Sequence, residues 1–312
     1  MSLPRLGVVI VTHRAAEVID ACLDSLLAAP GVALRVVVVD NASPDDTVAR
    51  LRGRVAPAPH QLEVIEAPNG GFAAGVNRGL ERLRADPGLA RFWILNPDTI
   101  VPPKTPARFA THPAPEGWAM IAGRVLYAEE PGGIQIDGGV IDWRTGVTRN
   151  LNQHAPADAT PPDPARIDFV TGASLVASRA FIECAGPMPE GYFLYYEEVD
   201  WAQRRGTMPI LHCPEAVVRH VSGASIGSAG ARRRASPFSE WFKHRARIAF
   251  LRRWRPRSVP GGLAFAVAKA GQHALRGDGA AARATLAGAF GRGPTRAVRE
   301  EMARAGIDPA RL

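Results

Sequence analysis

The segment GYFLYYEEVDWAQRRG (191–206) sets three carboxylates, Glu197, Glu198 and Asp200, directly beside Phe193, Tyr195, Tyr196 and Trp201. Burying an unpaired carboxylate among such rings costs on the order of several kcal/mol. On a helix, at about 100° per residue, Glu197 and Glu198 are neighbours and Asp200 lies about one turn beyond Glu197, so the three cannot share one face. Two readings stand. The acids open a helix and face the positive end of its dipole, or one of them is a working carboxylate whose proton affinity rises in apolar surroundings. A second group of candidates is scattered along the first half of the chain: Thr12-His13-Arg14, Asp40-Asn41, Asn69-Gly70-Gly71 and Asn96-Pro97-Asp98.

These groups share a position, because each follows an apolar run. LGVVIVTH (6–13) and RVVVVDN (35–41) are continuous β-branched stretches of the kind buried on both faces of a sheet, and LEVIEAP (62–68) and RFWILNPD (91–98) read as two more strands. Helical patterns lie between them. Val18, Ile19, Cys22, Leu23, Leu26 and Leu27 recur with a 3.6-residue period, and SPDDTVARLRGRV offers Ser43 as a cap with Pro44 at the first helical position. Alternating strand and helix predict a mostly parallel sheet covered on both faces. Such sheets bind ligands at the carboxyl ends of their strands, which is where the polar and glycine-containing groups fall.

The middle of the chain reads as strands and turns over 117–143, a Pro-rich surface loop over 152–166, a strand and helix from Ile167, and a last strand pair ending at His220. After GASIGSAG the composition turns Arg- and Ala-rich, which predicts a first domain over 1–225 and a basic helical extension over 226–312. The net charge of +8 conceals this division: residues 201–312 hold 21 Lys and Arg against 6 Asp and Glu, whereas the first 200 residues are net acidic. A basic tail of this kind invites an anionic surface or a phosphate-bearing ligand. The three cysteines form no CxxC pair and suit a reducing cytoplasm, and no apolar run reaches the ~20 residues of a membrane span.

In the order VVIVTHR, VVVVDNASPDDT, NGGFAAGVNRGL, WILNPDTIV, VTGASLVASRAFIECAGPMPEGYFLYYEEVDWAQRRG and VVRHVSGAS, the chain resembles the bacterial family 2 glycosyltransferases, most nearly their rhamnosyltransferase-like branch, over about residues 5–255. The resemblance implies a GT-A fold and inverting transfer of rhamnose or a similar sugar from a nucleoside diphosphate donor. It implies a donor site built from Thr12, His13 and Arg14; from Asp40 and Asn41 at the base or ribose; and from Asn69, Gly70, Gly71 and Asn77 closing over the nucleoside. Asn96-Pro97-Asp98 stands where the family has Asp-X-Asp, so Asp98 is the implied metal or diphosphate contact with Asn96 beside it, and His220 is the implied second metal ligand. The metal would be Mg²⁺ or Mn²⁺. The family's catalytic base falls on Glu198, a Glu where Asp is usual, which leaves Glu197 as the competing assignment; Asp200 braces the helix or binds an acceptor hydroxyl.

Arg245 is a candidate on helical geometry alone. On a helix over 237–254 it falls within an apolar stripe of Phe238, Trp241, Phe242, Ile248 and Ala249, where a guanidinium needs an anion: a donor diphosphate or a core carboxylate. The opposite face, Phe250, Leu251 and Trp254 among Lys243, Arg247 and Arg255, suits a lipid headgroup layer. The expectation is therefore a cytoplasmic enzyme peripheral to the inner face of the cell membrane. It would take a dTDP- or UDP-sugar and a glycan or lipid-linked acceptor, with an anionic membrane as partner and no nucleic acid. Two other readings are weaker. A sugar-phosphate nucleotidyltransferase needs a Gly-rich loop after the first strand, and VTHRAAEV has no glycine. A binder of anionic polymers rests on charge alone, since the tail carries no nucleic-acid reading motif.

Overall fold

A computed structural model describes residues 2–129, 132–221 and 236–307. In it the β-branched runs form the inner strands of a nine-stranded sheet. The first half alternates as its periodicity predicts: β1 (Arg5–Thr12), α1 (Ile19–Leu27), β2 (Ala33–Asn41), α2 (Thr47–Arg52), β3 (Gln61–Ala67), α3 (Phe72–Arg84), β4 (Arg91–Leu95), β5 (Thr99–Ile100) and α4 (Thr105–Thr111). Then follow β6 (Met120–Tyr127), β7 (Ile134–Ile136), the hairpin β8 (Gly139–Asp142) and β9 (Val147–Asn150), β10 (Ser174–Ser178), α5 (Arg179–Ala185), α6 (Glu197–Gln203) and β11 (Ile210–His220). Four helices close the described chain: α7 (Pro237–Trp254), α8 (Val259–Leu275), α9 (Gly279–Ala289) and α10 (Arg296–Arg304).

The strand order is β3-β2-β1-β4-β10-β6-β11-β5, with β7 added to β6. Strands β1 to β4 pair in parallel, so Thr12, Asn41, Ala67 and Leu95 all end at one edge. β10 runs antiparallel to both β4 and β6, which restores β6 to the direction of β4, and β11 is parallel to β6. His220 therefore arrives at the same edge as the turn after β4. This is the GT-A arrangement: a mostly parallel sheet with both faces dry. Val9, Val11, Val37 and Val39 pack on one side, and Val8, Ile10, Val36 and Val38 on the other with the buried face of α1.

Some local expectations fail. Ser43 and Pro44 do not open α2, which starts at Thr47; the Ser43 amide and hydroxyl instead turn back onto Asp40. The predicted last strand pair is a single strand, β11, interrupted by an irregularity between Cys213 and Val217. The boundary expected between residues 225 and 226 lies outside the described residues.

The stripe drawn on α7 fails for a physical reason. That construction assumes one wet face, but α7 is dry on two sides. Ala246 and Phe250 join the core beneath the sheet, while Phe238, Trp241 and Phe242 pack with α9 and α10. Phe250 and Leu251 are fully buried and cannot meet a lipid layer. The deeply buried guanidinium is that of Arg247, which donates to the Tyr196 hydroxyl at 3.1 Å. Arg245 is only half-buried and lies over the Trp241 ring. No helix among the described residues is long and apolar enough to cross a membrane.

Candidate active site

The strand ends converge on a cleft of about 180 Å³. One wall carries His13, Asn41, Asn69 and Gly71, the floor carries Asn96, Pro97, Asp98 and His220, and Phe72, Phe193, Leu194 and Tyr195 close the far side. Seven of the residues expected at a donor site thus share one cavity: His13, Asn41, Asn69, Gly71, Asn96, Asp98 and His220. Thr12, Arg14, Asp40, Gly70, Asn77 and Arg245 do not line it.

The structure accounts for most of those exclusions. Asp40 is buried behind the wall with both oxygens engaged: Oδ1 accepts from the Thr12 hydroxyl at 2.8 Å and from Ser43 Oγ at 2.5 Å, and Oδ2 accepts from the Ser43 amide at 2.8 Å. Such a carboxylate shapes the β2 turn and has little left for a ligand. Its neighbour Asn41 is better placed. Asn41 Nδ2 donates to the Gly71 carbonyl at 2.9 Å, while Oδ1 is buried without a hydrogen-bond partner among the described residues. An unmet acceptor on a cleft wall suits an N–H or O–H donor. Asn77 points away and clamps the loop before α6, bonding the Met188 backbone and the Glu190 carboxylate.

Asp98 and His220 meet on the floor. Asp98 is 3% exposed, and its Oδ1 lies 3.1 Å from His220 Nε2. That spacing matches adjacent ligands around an octahedral cation with bonds of about 2.1 Å, and a carboxylate with an imidazole suits Mg²⁺ or Mn²⁺. Among the described residues no group of three His, Cys, Asp or Glu gathers as a metal cluster. The pair therefore fits a cation that takes its remaining ligands from water and phosphate oxygens.

The acidic segment adjoins the cleft through an unusual turn: Phe193, Leu194 and Tyr195 line it, whereas Glu197, Glu198 and Asp200 lie behind them and do not. Phe193, Tyr195 and Tyr196 all have positive φ, at 63°, 68° and 69°. Each such conformation costs a bulky residue on the order of 1 kcal/mol or more. Anchors offset this cost: Phe193 stacks on Phe242, the Tyr195 hydroxyl bonds Ser239 at 2.9 Å, and the Tyr196 hydroxyl donates to the Gly146 carbonyl at 2.6 Å. The Phe193 carbonyl accepts from the Phe72 amide at 3.1 Å, and it passes so close to Gly71 (φ +91°) that a Cβ there would fall on its oxygen. Gly71 is thus required by contact as well as by φ.

The turn delivers Glu197 and Glu198 as the first residues of α6. Burial, reinforced by the Glu198 charge, pushes the Glu197 carboxyl well above its ordinary range, and its Oε2 is buried with no hydrogen-bond partner among the described residues. Burial also pushes half-buried Glu198 up, to about 7. The two neighbours are unequal in their surroundings: Glu197 is buried with an unmet oxygen, whereas Glu198 is partly open to solvent. Asp200 has no oxygen to spare. It accepts from the Tyr192 hydroxyl at 2.7 Å and from Arg204 Nε at 2.8 Å, with Arg253 at 3.5 Å, an arrangement that braces α6.

Residues beyond the expected set complete the wall. Ile307 lines the cleft from just beyond α10, His13 Nε2 lies 2.7 Å from the Ala305 carbonyl, and Arg14 donates to the Arg304 carbonyl at 2.8 Å. The one sequence signal for this turn is Gly306, which has φ +67° and lets the Ile307 amide reach the Met302 carbonyl at 2.9 Å.

Residues 7–134 match the family described as Glycosyl transferase family 2, which covers β1 through β6 and the Asn96-Pro97-Asp98 turn. No curated protein matches the chain. Among solved structures the chain is similar to GalNAc-T7 with UDP, GalNAc and Mn²⁺ (TM-score 0.57, 14% identity, over 81% of this chain and 48% of that one). It is also similar to the mannosyltransferase PcManGT from Pyrobaculum calidifontis in complex with GDP-Man and Mn²⁺ (TM-score 0.55, 18% identity, over 98% of this chain and 81% of that one). The chain spans about half the length of the first of these. The likenesses establish the GT-A fold, and the family match is confined to residues 7–134.

Proposed function

We propose that the chain is an inverting glycosyltransferase, moving rhamnose or a similar sugar from a nucleoside diphosphate to a hydroxyl of a lipid-linked or polysaccharide acceptor. The observation that carries this reading is the cleft itself. The strands of a chain whose residues 7–134 match glycosyl transferase family 2 end on an Asp98–His220 pair, and the turn that closes the cleft leads directly into Glu198, whose carboxyl burial raises to about 7. Asn41 and Asn69 offer amide groups to the nucleoside, and Phe72 and Tyr195 offer apolar surface. Asp98 and His220 would hold a divalent metal, which when bound neutralises charge on the departing diphosphate.

Glu198 is the base. It accepts the acceptor hydroxyl's proton while that oxygen bonds the anomeric carbon and the bond from that carbon to the diphosphate oxygen breaks. A base works best with a pKa near the working pH and an oxygen within reach of solvent and substrate, which favours half-buried Glu198 over fully buried Glu197. Incubation with a panel of dTDP-, UDP- and GDP-sugars tests the reading. The right donor raises thermal stability and is slowly hydrolysed in the presence of Mn²⁺. A panel in which no sugar nucleotide stabilises the protein or is turned over refutes it.

The membrane reading moves to other residues. Arg252, Arg253, Arg255 and Arg257 are exposed, and the outer side of α8, with Ala264, Val267, Ala268, Gly271 and Leu275, carries no charge. Cations beside an uncharged helical face suit an anionic bilayer. Vesicles rich in phosphatidylglycerol should float the protein at low salt and release it as salt rises. Equal recovery on neutral vesicles removes the electrostatic part of this reading.

A further inference from the structure

β7 contains an irregularity that acts at the cleft floor. It pairs antiparallel with β6, yet Ile136 lies opposite Val125 and Ile134 opposite Leu126, so two steps on β7 span one step on β6. Gln135 is the extra residue, a β-bulge. Both flanking isoleucines are buried, so the bulge keeps their side chains in the core while releasing Gln135 from the pleat. Bulges re-aim side chains in this way. The segment is held on its other side by the Ile134 amide to the Ala155 carbonyl at 2.8 Å, by the His154 amide to the Ile134 carbonyl at 2.7 Å, and by Asn150 Nδ2 to the Gln135 carbonyl at 3.2 Å. Gln135 thereby brings Oε1 to 2.8 Å from His220 Nδ1, on the ring edge opposite Asp98.

The chemistry of that contact is directional. An amide oxygen only accepts, so Nδ1 must carry the ring proton, and in the neutral imidazole Nε2 then presents a lone pair. That lone pair faces Asp98 Oδ1 across 3.1 Å. Two acceptors facing each other repel unless something positive sits against both. Without the Gln135 contact the opposite tautomer is favoured: Nε2–H donates to Asp98, and the pair closes on itself.

We infer that Gln135 is a positioning residue. Through its bulge it holds His220 in the Nδ1–H tautomer and so keeps the Asp98–His220 pair open to a divalent cation. The inference rests on the glycosyltransferase reading for the purpose of the cation, but not for the tautomer. Partners of this kind at the far nitrogen of a metal-binding histidine are typically worth 10- to 100-fold in metal affinity.

The experiment measures the ring directly. Long-range ¹H–¹⁵N spectra of the full chain, with the His220 signals assigned from His220→Ala, should show Nδ1 protonated and Nε2 bare. Mn²⁺ binding, followed by electron paramagnetic resonance in the presence of UDP, should weaken 10- to 100-fold in Gln135→Leu. It should stay within a few-fold of wild type in Gln135→Glu, which keeps an acceptor oxygen. A wild-type ring protonated at Nε2 overturns the inference whatever the variants do. So does Mn²⁺ affinity in a folded Gln135→Leu within twofold of wild type. If wild type and His220→Ala bind Mn²⁺ equally, the metal assignment of the functional reading fails, while the tautomer measurement still decides the role of Gln135.

Discussion

Replacing Glu198 by Gln should make the protein a poorer catalyst and a more stable fold, and the second effect should depend on pH. Burial raises the Glu198 carboxyl from 4.5 to about 7. At about 1.36 kcal/mol per pH unit, that gap is worth about 3 kcal/mol. The folded state binds the proton more tightly than the unfolded chain does. The stability this contributes is fully present below pH 4.5, is lost as pH rises toward 7, and changes no further above. Gln has no proton to lose. Glu198→Gln should therefore match wild type near pH 4.5 and exceed it by up to about 3 kcal/mol at pH 8, as read from urea denaturation at both pH values. Transfer at pH 8 should fall by about 10² to 10⁴, and the rate limb that rises through about 7 in wild type should vanish. A stability difference identical at pH 4.5 and pH 8 refutes the burial argument. Normal transfer by Glu198→Gln refutes the base, and if Glu197→Gln is then the inactive variant, the roles of the two neighbours are reversed.

Asp98→Ala should abolish nearly all transfer with the fold intact by circular dichroism, and excess chelator should do the same to wild type; full activity in chelator sinks the metal assignment. Asp200→Asn should cost stability, about 2–3 kcal/mol from weakened bonds to Tyr192 and Arg204, with a smaller loss of transfer than Glu198→Gln at a temperature where it is folded. Transfer lost in full by a folded Asp200→Asn returns that residue to the chemistry. Gly71→Ala places a methyl group on the Phe193 carbonyl and should cost about 1–3 kcal/mol while weakening nucleotide binding. Unchanged UDP affinity by calorimetry would show that the turn at Phe193 gives way without disturbing the cleft.

The strand ends were legible because buried parallel strands are written as unbroken Val and Ile runs, and the residue after each run must lie at the ligand edge. That logic located Asn41, Asn69 and Asp98. The approach of His220 to Asp98 came from resemblance alone, since pairing across β10 and β6 leaves no local trace. The turn through Phe193, Tyr195 and Tyr196 was hidden for the opposite reason: bulky rings argue against positive φ, and only contacts from α7 and Gly146 hold them there. Asp40 read as a ligand because an acid at a strand end is ambiguous until Ser43 and Thr12 are seen to occupy it. Arg245 was chosen over Arg247 because one periodic stripe cannot describe a helix with two dry faces.

The contact between His13 and the Ala305 carbonyl joins residues 292 apart in sequence. Closing a loop of that length costs about 5 kcal/mol of chain entropy, more than one hydrogen bond returns. It forms only because α7, α9 and α10 have already packed on Phe193 and its neighbours. During synthesis, a chain that has emerged only through β11 holds the sheet, Asp98, His220 and Glu198, yet its cleft lacks the Ile307 wall. The cleft is thus completed by helices that follow β11 in the chain, and occupation of the cleft by a ligand would report that the helical layer has docked.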